Sequence, residues 1–148
     1  MNLLYHCGLR VSEFSQLTKN DYREIEGIKY ISINSDDNKT VKNESSIRNI
    51  PLNEALLALG AWEDKPVMKY GDNRTMNAIT KAFDKIGLKR STHCFRHSLS
   101  NRLRDTNATD SIRAYILGHA QANMTDRVYI TREPLLQMKA ALDVTGGI

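Results

Sequence analysis

Cysteine is nearly missing from this chain: Cys7 and Cys94 are the two among 148 residues. They form no CxxC pair, which excludes a disulfide framework and a cysteine-built zinc site and points to a reducing, intracellular setting. No apolar run reaches the roughly 18 residues a membrane span requires, so no membrane partner is expected. The opening MNLLYHCGLR lacks both a basic segment and a long apolar segment, so it is no secretory signal. Internal repeats and low-complexity tracts are absent too. Acidic residues are outnumbered, 17 to 21 Lys plus Arg, for a formal charge of +4. With a pI near 9.1, that balance leans toward anionic partners such as nucleic acid. Hydrophobic residues at 41% and charged residues at 26% are ordinary for a globular protein, and the length fits one domain with a real core.

Periodicity then assigns the elements. Leu3, Leu4 and Cys7 fall at helical spacing, and Gly8 stands where that helix would stop. Arg10 to Leu17 reads as a second short helix, with Leu9, Phe14 and Leu17 as buried contacts. IKYISIN, 28–34, reads as a strand and SDDNK as the turn after it. Strands near Thr40–Lys42 and Ser46–Ile50 would complete a small antiparallel sheet, with Pro51 stopping the last. Helices fill the rest. One holds Leu56, Leu57 and Leu59. The next shows Met76, Ile79, Phe83 and Ile86 on one face and ends at Gly87. Another runs from Thr92 or His93 to Arg104, and Thr109–Asp110 caps one ending near Leu117–Gly118. Leu135, Met138 and Leu142 mark a C-terminal helix with Pro134 in its first turn, and VTGGI behind it is expected to fray. The fold class is mainly α with a small antiparallel β-sheet (α+β), in a single domain over residues 1–148.

The chemistry concentrates in THCFRHSLSNRLRD, residues 92–105. On a helix His93 and His97 share a face, and Arg96 lies one turn from His93. A zinc site of the HExxH kind would need a glutamate after the first histidine. Cys94 stands there instead, and a guanidinium would repel a dication, so no metal is expected. Cys94, mid-helix beside Phe95, reads as a small buried residue rather than a nucleophile. A solvated helix face with a core histidine is the plain alternative. An arginine fork with an imidazole nearby also suits a phosphate: the fork grips two oxygens and the imidazole donates a third bond or moves a proton. Such a set is useful where a phosphodiester gathers negative charge.

Further parts of that kind occur along the chain. Arg10 follows Gly8 in GLRVSE, with Glu13 three residues on, placed to support it. Lys42 lies in TVKNESSIRNIPL, His119 in YILGHA and Tyr129 in TDRVYI. In that order, GLRVSE, a basic segment ending IPL, HCFRH, LGH and a tyrosine resemble the catalytic domain of tyrosine recombinases, the phage-integrase family. The resemblance runs from about Leu4 to Ile130. It implies the DNA breaking-rejoining fold and a site-specific DNA recombinase that works through a 3′-phosphotyrosine intermediate, with no metal or nucleotide cofactor. It implies double-stranded DNA and other recombinase protomers, as a tetramer on DNA, for partners, and a cytoplasmic, nucleoid-associated location. Carried over position by position, Arg10 and Arg96 would clamp the scissile phosphate. His93 would hydrogen-bond it and assist proton transfer, and His119 would bond another oxygen or help place the tyrosine. Lys42 would protonate the departing 5′ oxygen, Glu13 would support Arg10, and Tyr129 would attack.

Some assignments have rivals. Lys39 competes with Lys42, whose spacing to IPL matches the family's lysine. Tyr70 and Tyr115 compete with Tyr129, which alone follows LGH at a suitable distance; Tyr115 reads as a packing residue. His97 reads as a core or supporting residue. The helical DNA-clamping domain that precedes the catalytic domain in full-length relatives is expected to be absent. Residues 133–148 are expected to dock on a neighbouring protomer or to pack in cis. An inactive DNA-binding remnant of a mobile-element integrase and a topoisomerase-like enzyme remain the competing functions.

Overall fold

The computed structural model describes residues 1–119 and 132–146. Within them, helix α1 spans Asn2–Cys7 and buries Leu3, Leu4 and Cys7. Gly8 ends it at φ +61°, a left-handed turn that returns its N–H to Leu4 O. Space demands glycine there as well, since a Cβ would lie 2.7 Å from Leu99 Cδ2. Helix α2, Val11–Ser15, is shorter than the expected segment, but Leu9, Phe14 and Leu17 are all buried.

The sheet has the order β1-β2-β3 and is antiparallel throughout. Its membership differs from expectation. Strand β1 is Tyr22–Ile25, β2 is Ile28–Ile33 and β3 is Arg48–Pro51. β1 joins β2 through the two-residue turn Glu26–Gly27, with φ +46° and +82° and Ile25 opposite Ile28. Those are the paired positive dihedrals that match the twist of a tight hairpin. Thr40–Lys42 is not a strand. It belongs to an irregular loop from Asn34 to Ile47 that ends in the 3-10 turn Glu44–Ser46. Asp36, Asp37, Asn38 and Lys39 are too polar to fill a strand slot, and the Tyr22–Ile25 strand already pairs with β2 on its other edge. Pro51 is the last residue of β3 rather than its stop, paired with Tyr30. It sits on the outermost strand, where a missing N–H is tolerated.

The remaining helices are α3 (Glu54–Ala58), α4 (Ala61–Asp64), α5 (Asp72–Lys85), α6 (His93–Arg104), α7 (Asp110–Leu117) and α8 (Arg132–Gly146). The segment around Leu56–Leu59 is broken by Gly60 at φ +75°, which leaves Leu59 exposed. On α5 the buried face is Thr75, Ile79 and Phe83; Met76 and Ile86 are exposed. Thr109 caps α7, accepting from Ile112 N. Helix α8 packs within the chain, against β3, α3, α6 and α7, with Leu135, Met138 and Leu142 buried. VTGGI does not fray at its start. Thr145 is buried, and its carbonyl accepts from Arg102 Nη1 at 2.8 Å. A mainly helical chain with one small antiparallel sheet is therefore the fold, as its composition and periodicity indicated. Among the described residues no helix is long and apolar enough to cross a membrane.

Candidate active site

Three arginines from three elements meet around one carboxylate. Arg10 is the N-cap of α2, Arg48 opens β3 and Arg96 lies on the first turns of α6. Glu13, buried on α2, sits between two of them. Its Oε1 accepts from Arg10 Nη1 at 2.6 Å and from Arg48 Nη1 at 2.9 Å. Its Oε2 accepts from the Arg10 backbone N–H at 2.8 Å and from Arg48 Nη2 at 3.0 Å. Burial pushes the Glu13 carboxyl up, but the Arg48 bonds and charge, followed by those of Arg10, outweigh it and leave its pKa below the ordinary value. The glutamate is thus a fixed anion, and the two-pronged pair with Arg48 is the strongest geometry available to it.

Arg48 is wholly enclosed at 2% exposure. It also donates to Ile116 O and Ser46 O, each at 2.8 Å. Its donors are therefore spent inside the protein, and its work is to hold Glu13. Arg10 is more open. It donates to Ser46 Oγ at 3.0 Å and to Gly118 O at 3.3 Å. Arg96 donates through Nη1 to Gly8 O at 3.0 Å, while its Nη2 is buried with no partner among the described residues. Burial, then the charges of Arg10 and Arg48, bring the Arg96 pKa down to about 10, so it stays protonated at neutral pH.

Two helix ends help. Gly8 and Gly118 close α1 and α7 in the left-handed conformation, and each carbonyl takes one guanidinium. The negative end of a helix favours such a cation. Gly118 has no room for a side chain, because a Cβ would lie 2.9 Å from Arg48 Nη1. The residue after it, His119, faces the same charges. Burial first, then Arg96, Arg10 and Arg48, lower its pKa, so its imidazole is neutral at pH 7.

The site residues read from sequence thus divide. Arg10, Glu13, Arg96 and His119 come together. His93 is the exposed first residue of α6, and among the described residues no hydrogen bond joins it to Arg96. His97 is exposed rather than in the core, its ring 6.4 Å from that of His93. Lys42 is exposed on the loop before the 3-10 turn. Lys39 is committed elsewhere, 2.7 Å from Asp21 Oδ1. Tyr115 is partly buried against the core and Tyr70 is exposed under Arg74. Cys94 is half-buried. Tyr129 lies outside the described residues. Among those described, no three His, Cys, Asp or Glu side chains are grouped to hold a metal ion. The residue that sequence reading passed over is Arg48. It opens β3, a strand whose four residues are all buried, so alternation gives no signal for it.

Residues 1–134 match the model of the phage integrase family. The chain belongs to the phage integrase family. No curated protein matches it. As an integrase-family chain, it has the ordered motifs GLR, HCFR and LGH converging in space: Gly8 accepts from Arg96, and Gly118 accepts from Arg10. The glycines of GLR and LGH thus each carry an arginine from another motif.

Proposed function

We propose that this chain is the strand-transferase part of a site-specific recombinase, cleaving and rejoining DNA by transesterification. The supporting observation is the charge imbalance at Arg10, Arg48 and Arg96. Among the described residues one carboxylate, Glu13, faces three guanidiniums, and a buried Arg96 donor has no acceptor. Such a donor left unmade costs about 1–3 kcal/mol. An anion bearing several oxygens between Arg10 and Arg96 satisfies it, and a phosphodiester of DNA is that anion.

In this reading the Tyr129 hydroxyl attacks the phosphorus. Its proton passes to His93, the P–O5′ bond breaks, and Lys42 gives its proton to the departing 5′ oxygen. The product is a 3′-phosphotyrosyl ester with a free 5′ hydroxyl, and the reverse steps rejoin a strand without an energy source. Arg10 and Arg96 neutralise the five-coordinate phosphorus, each such donor contributing about 10²–10³ in rate. His119, neutral and beside both arginines, donates to a further phosphate oxygen or to the tyrosine. A phenol of pKa near 10 is a weak nucleophile at pH 7, so the proton acceptor matters as much as the cations. Double-stranded DNA is the partner, and further protomers assemble on it.

The test is capture of the covalent intermediate. The protein is incubated with a pool of nicked duplexes of randomised sequence, in which the cleaved fragment diffuses away, and run on a denaturing gel. A DNA-linked band that Tyr129→Phe abolishes is the expected result. A band that survives that change, or no band at any DNA concentration that saturates binding, overturns the assignment in favour of a DNA-binding remnant.

A further inference from the structure

The loop that carries Lys42 is fastened at both ends by side chains that have no place in the reaction itself. Upstream, the Gln16 amide meets the Thr40 backbone as a second strand would. Oε1 accepts from Thr40 N at 2.7 Å, and Nε2 donates to Thr40 O at 3.1 Å. Nε2 also donates to Ser12 O at 2.7 Å, which fixes the amide on α2. One residue earlier in the loop, Lys39 reaches Asp21 Oδ1 at 2.7 Å and Asn34 Oδ1 at 3.2 Å. Asp21 is itself buried, tied to Thr18 through its other oxygen. Downstream, Asn43 Oδ1 accepts from Ser46 Oγ at 2.8 Å, and Ser46 is held by Arg10 and Arg48.

At the upstream fastening the loop covers a small recess of about 10 Å³ lined by Gln16, Asp21, Asn34, Lys39 and Thr40. Backbone that spans a cleft without strand partners is mobile by default. Here the partners are supplied by side chains, and Val41 adds an apolar contact with the core just before Lys42. The same α2 helix carries Arg10 and Glu13 at one end and Gln16 at the other. A displacement of α2 would shift both the phosphate clamp and the lysine.

We propose that Gln16, with the Lys39–Asp21 pair, is a latch that sets the position of the Lys42 ammonium relative to the phosphate held by Arg10 and Arg96, making Gln16 and Lys39 positioning residues. This rests on the assignment of Lys42 as the proton donor. An acid must sit within hydrogen-bond reach of the leaving oxygen, and a misplacement of 1 Å costs about 10²-fold in rate.

The experiment compares two leaving groups. A nicked duplex taken from the captured pool is made with its ordinary 5′ oxygen and with sulfur at that bridging position. A thiolate departs without a proton, so the sulfur substrate makes no use of an acid. Single-turnover cleavage by Gln16→Ala is expected to fall about 10²-fold on oxygen and to stay near the unsubstituted protein's rate on sulfur, with DNA affinity unchanged. Lys39→Met should behave alike, and Lys42→Ala should show the same pattern more strongly. Equal loss on both substrates in Gln16→Ala would mean that Gln16 acts on the fold and not through the lysine, which overturns the proposal. Should Lys42→Ala itself fail to recover on sulfur, the acid assignment is what fails. The latch is then judged without DNA, by trypsin. Nicking after Lys42 should be about tenfold faster in Gln16→Ala than in the unsubstituted chain if local opening governs it. An unchanged nicking rate overturns the latch.

Discussion

Arg96 and Gly8 are joined by one hydrogen bond of 3.0 Å from the guanidinium to the last carbonyl of the α1 turn, and the other terminal nitrogen of Arg96 is buried with no acceptor among the described residues. The bond fixes the direction of the arginine, which carries a second donor and its charge into a region that already holds Arg10 and Arg48.

Replacing Arg96 should therefore separate stability from function. Arg96→Met removes a buried cation crowded by two others and an unmet donor costing about 1–3 kcal/mol, and loses one bond to Gly8. Urea unfolding is expected to show stability unchanged or raised, while covalent-adduct formation falls about 10²–10³-fold. Sulfate should stabilise the unsubstituted protein by mass action and fail to stabilise the variant. A clear loss of stability in Arg96→Met would show that Arg96 is structural.

The Arg48–Glu13 pair should behave in the opposite way. Arg48→Leu leaves a buried carboxylate with Arg10 alone, and breaking one side of a buried pair costs about 3–5 kcal/mol. Chemical denaturation should register that loss. The double variant Arg48→Leu with Glu13→Leu should recover part of it, because no lone charge is left behind. A loss below about 1 kcal/mol in the single variant would contradict the burial and bonding seen for Arg48.

His119 supplies a pH signature. Its folded pKa is lowered below 6.5 by burial and the three arginines, so the unfolded chain binds the proton more readily. The stabilisation from this group is complete above the unfolded pKa and is lost as pH falls through the folded one. An anion between Arg10 and Arg96 offsets their charge and raises the folded value. Anion binding then takes up a proton between the free and bound pKa values, so affinity rises as pH falls through that window and levels off below it. Proton NMR titration of the His119 ring, with and without sulfate, should show the upward shift. His119→Gln should remove the pH dependence of sulfate affinity. A titration indifferent to sulfate would place the anion elsewhere.

Gly118→Ala should damage the site and the fold together. The left-handed φ of +58° costs an alanine about 1–2 kcal/mol, and the new methyl meets Arg48 Nη1. Thermal unfolding should report the first cost. A lowered adduct yield under conditions where the protein remains folded should report the second. Full activity with an unchanged midpoint would contradict the close approach of Gly118 to Arg48.

The sequence carried the helices well, because their signals are local. Gly8, Thr109 and Gly118 each mark a helix end, and each does so in the structure. The sheet was harder. Tyr22–Ile25 alternates weakly, and its best clue was the Glu26–Gly27 dipeptide, which takes the positive dihedrals of a tight hairpin turn. The Thr40–Lys42 segment resembles a strand only until its partners are counted: its backbone bonds go to Gln16, a side chain 24 positions away in sequence. At the site, Arg10, Glu13, Arg96 and His119 were legible from ordered motifs. Arg48 was not, because a buried arginine is read by default as a surface charge. Its burial depends on Glu13, Ser46 and Ile116 arriving together, which no local pattern announces.

The most direct measurement concerns the charge on the phosphate. A nicked duplex is prepared with a methyl group in place of one non-bridging oxygen at the cleaved phosphate, which removes its negative charge and leaves its shape. Cleavage rates of the unsubstituted protein, Arg10→Ala and Arg96→Ala are compared on this neutral linkage and on the ordinary one. If these guanidiniums exist to neutralise a phosphodiester, at least one substitution costing about 10²–10³-fold on the charged linkage should cost far less on the neutral one. Equal losses on both linkages would contradict the account.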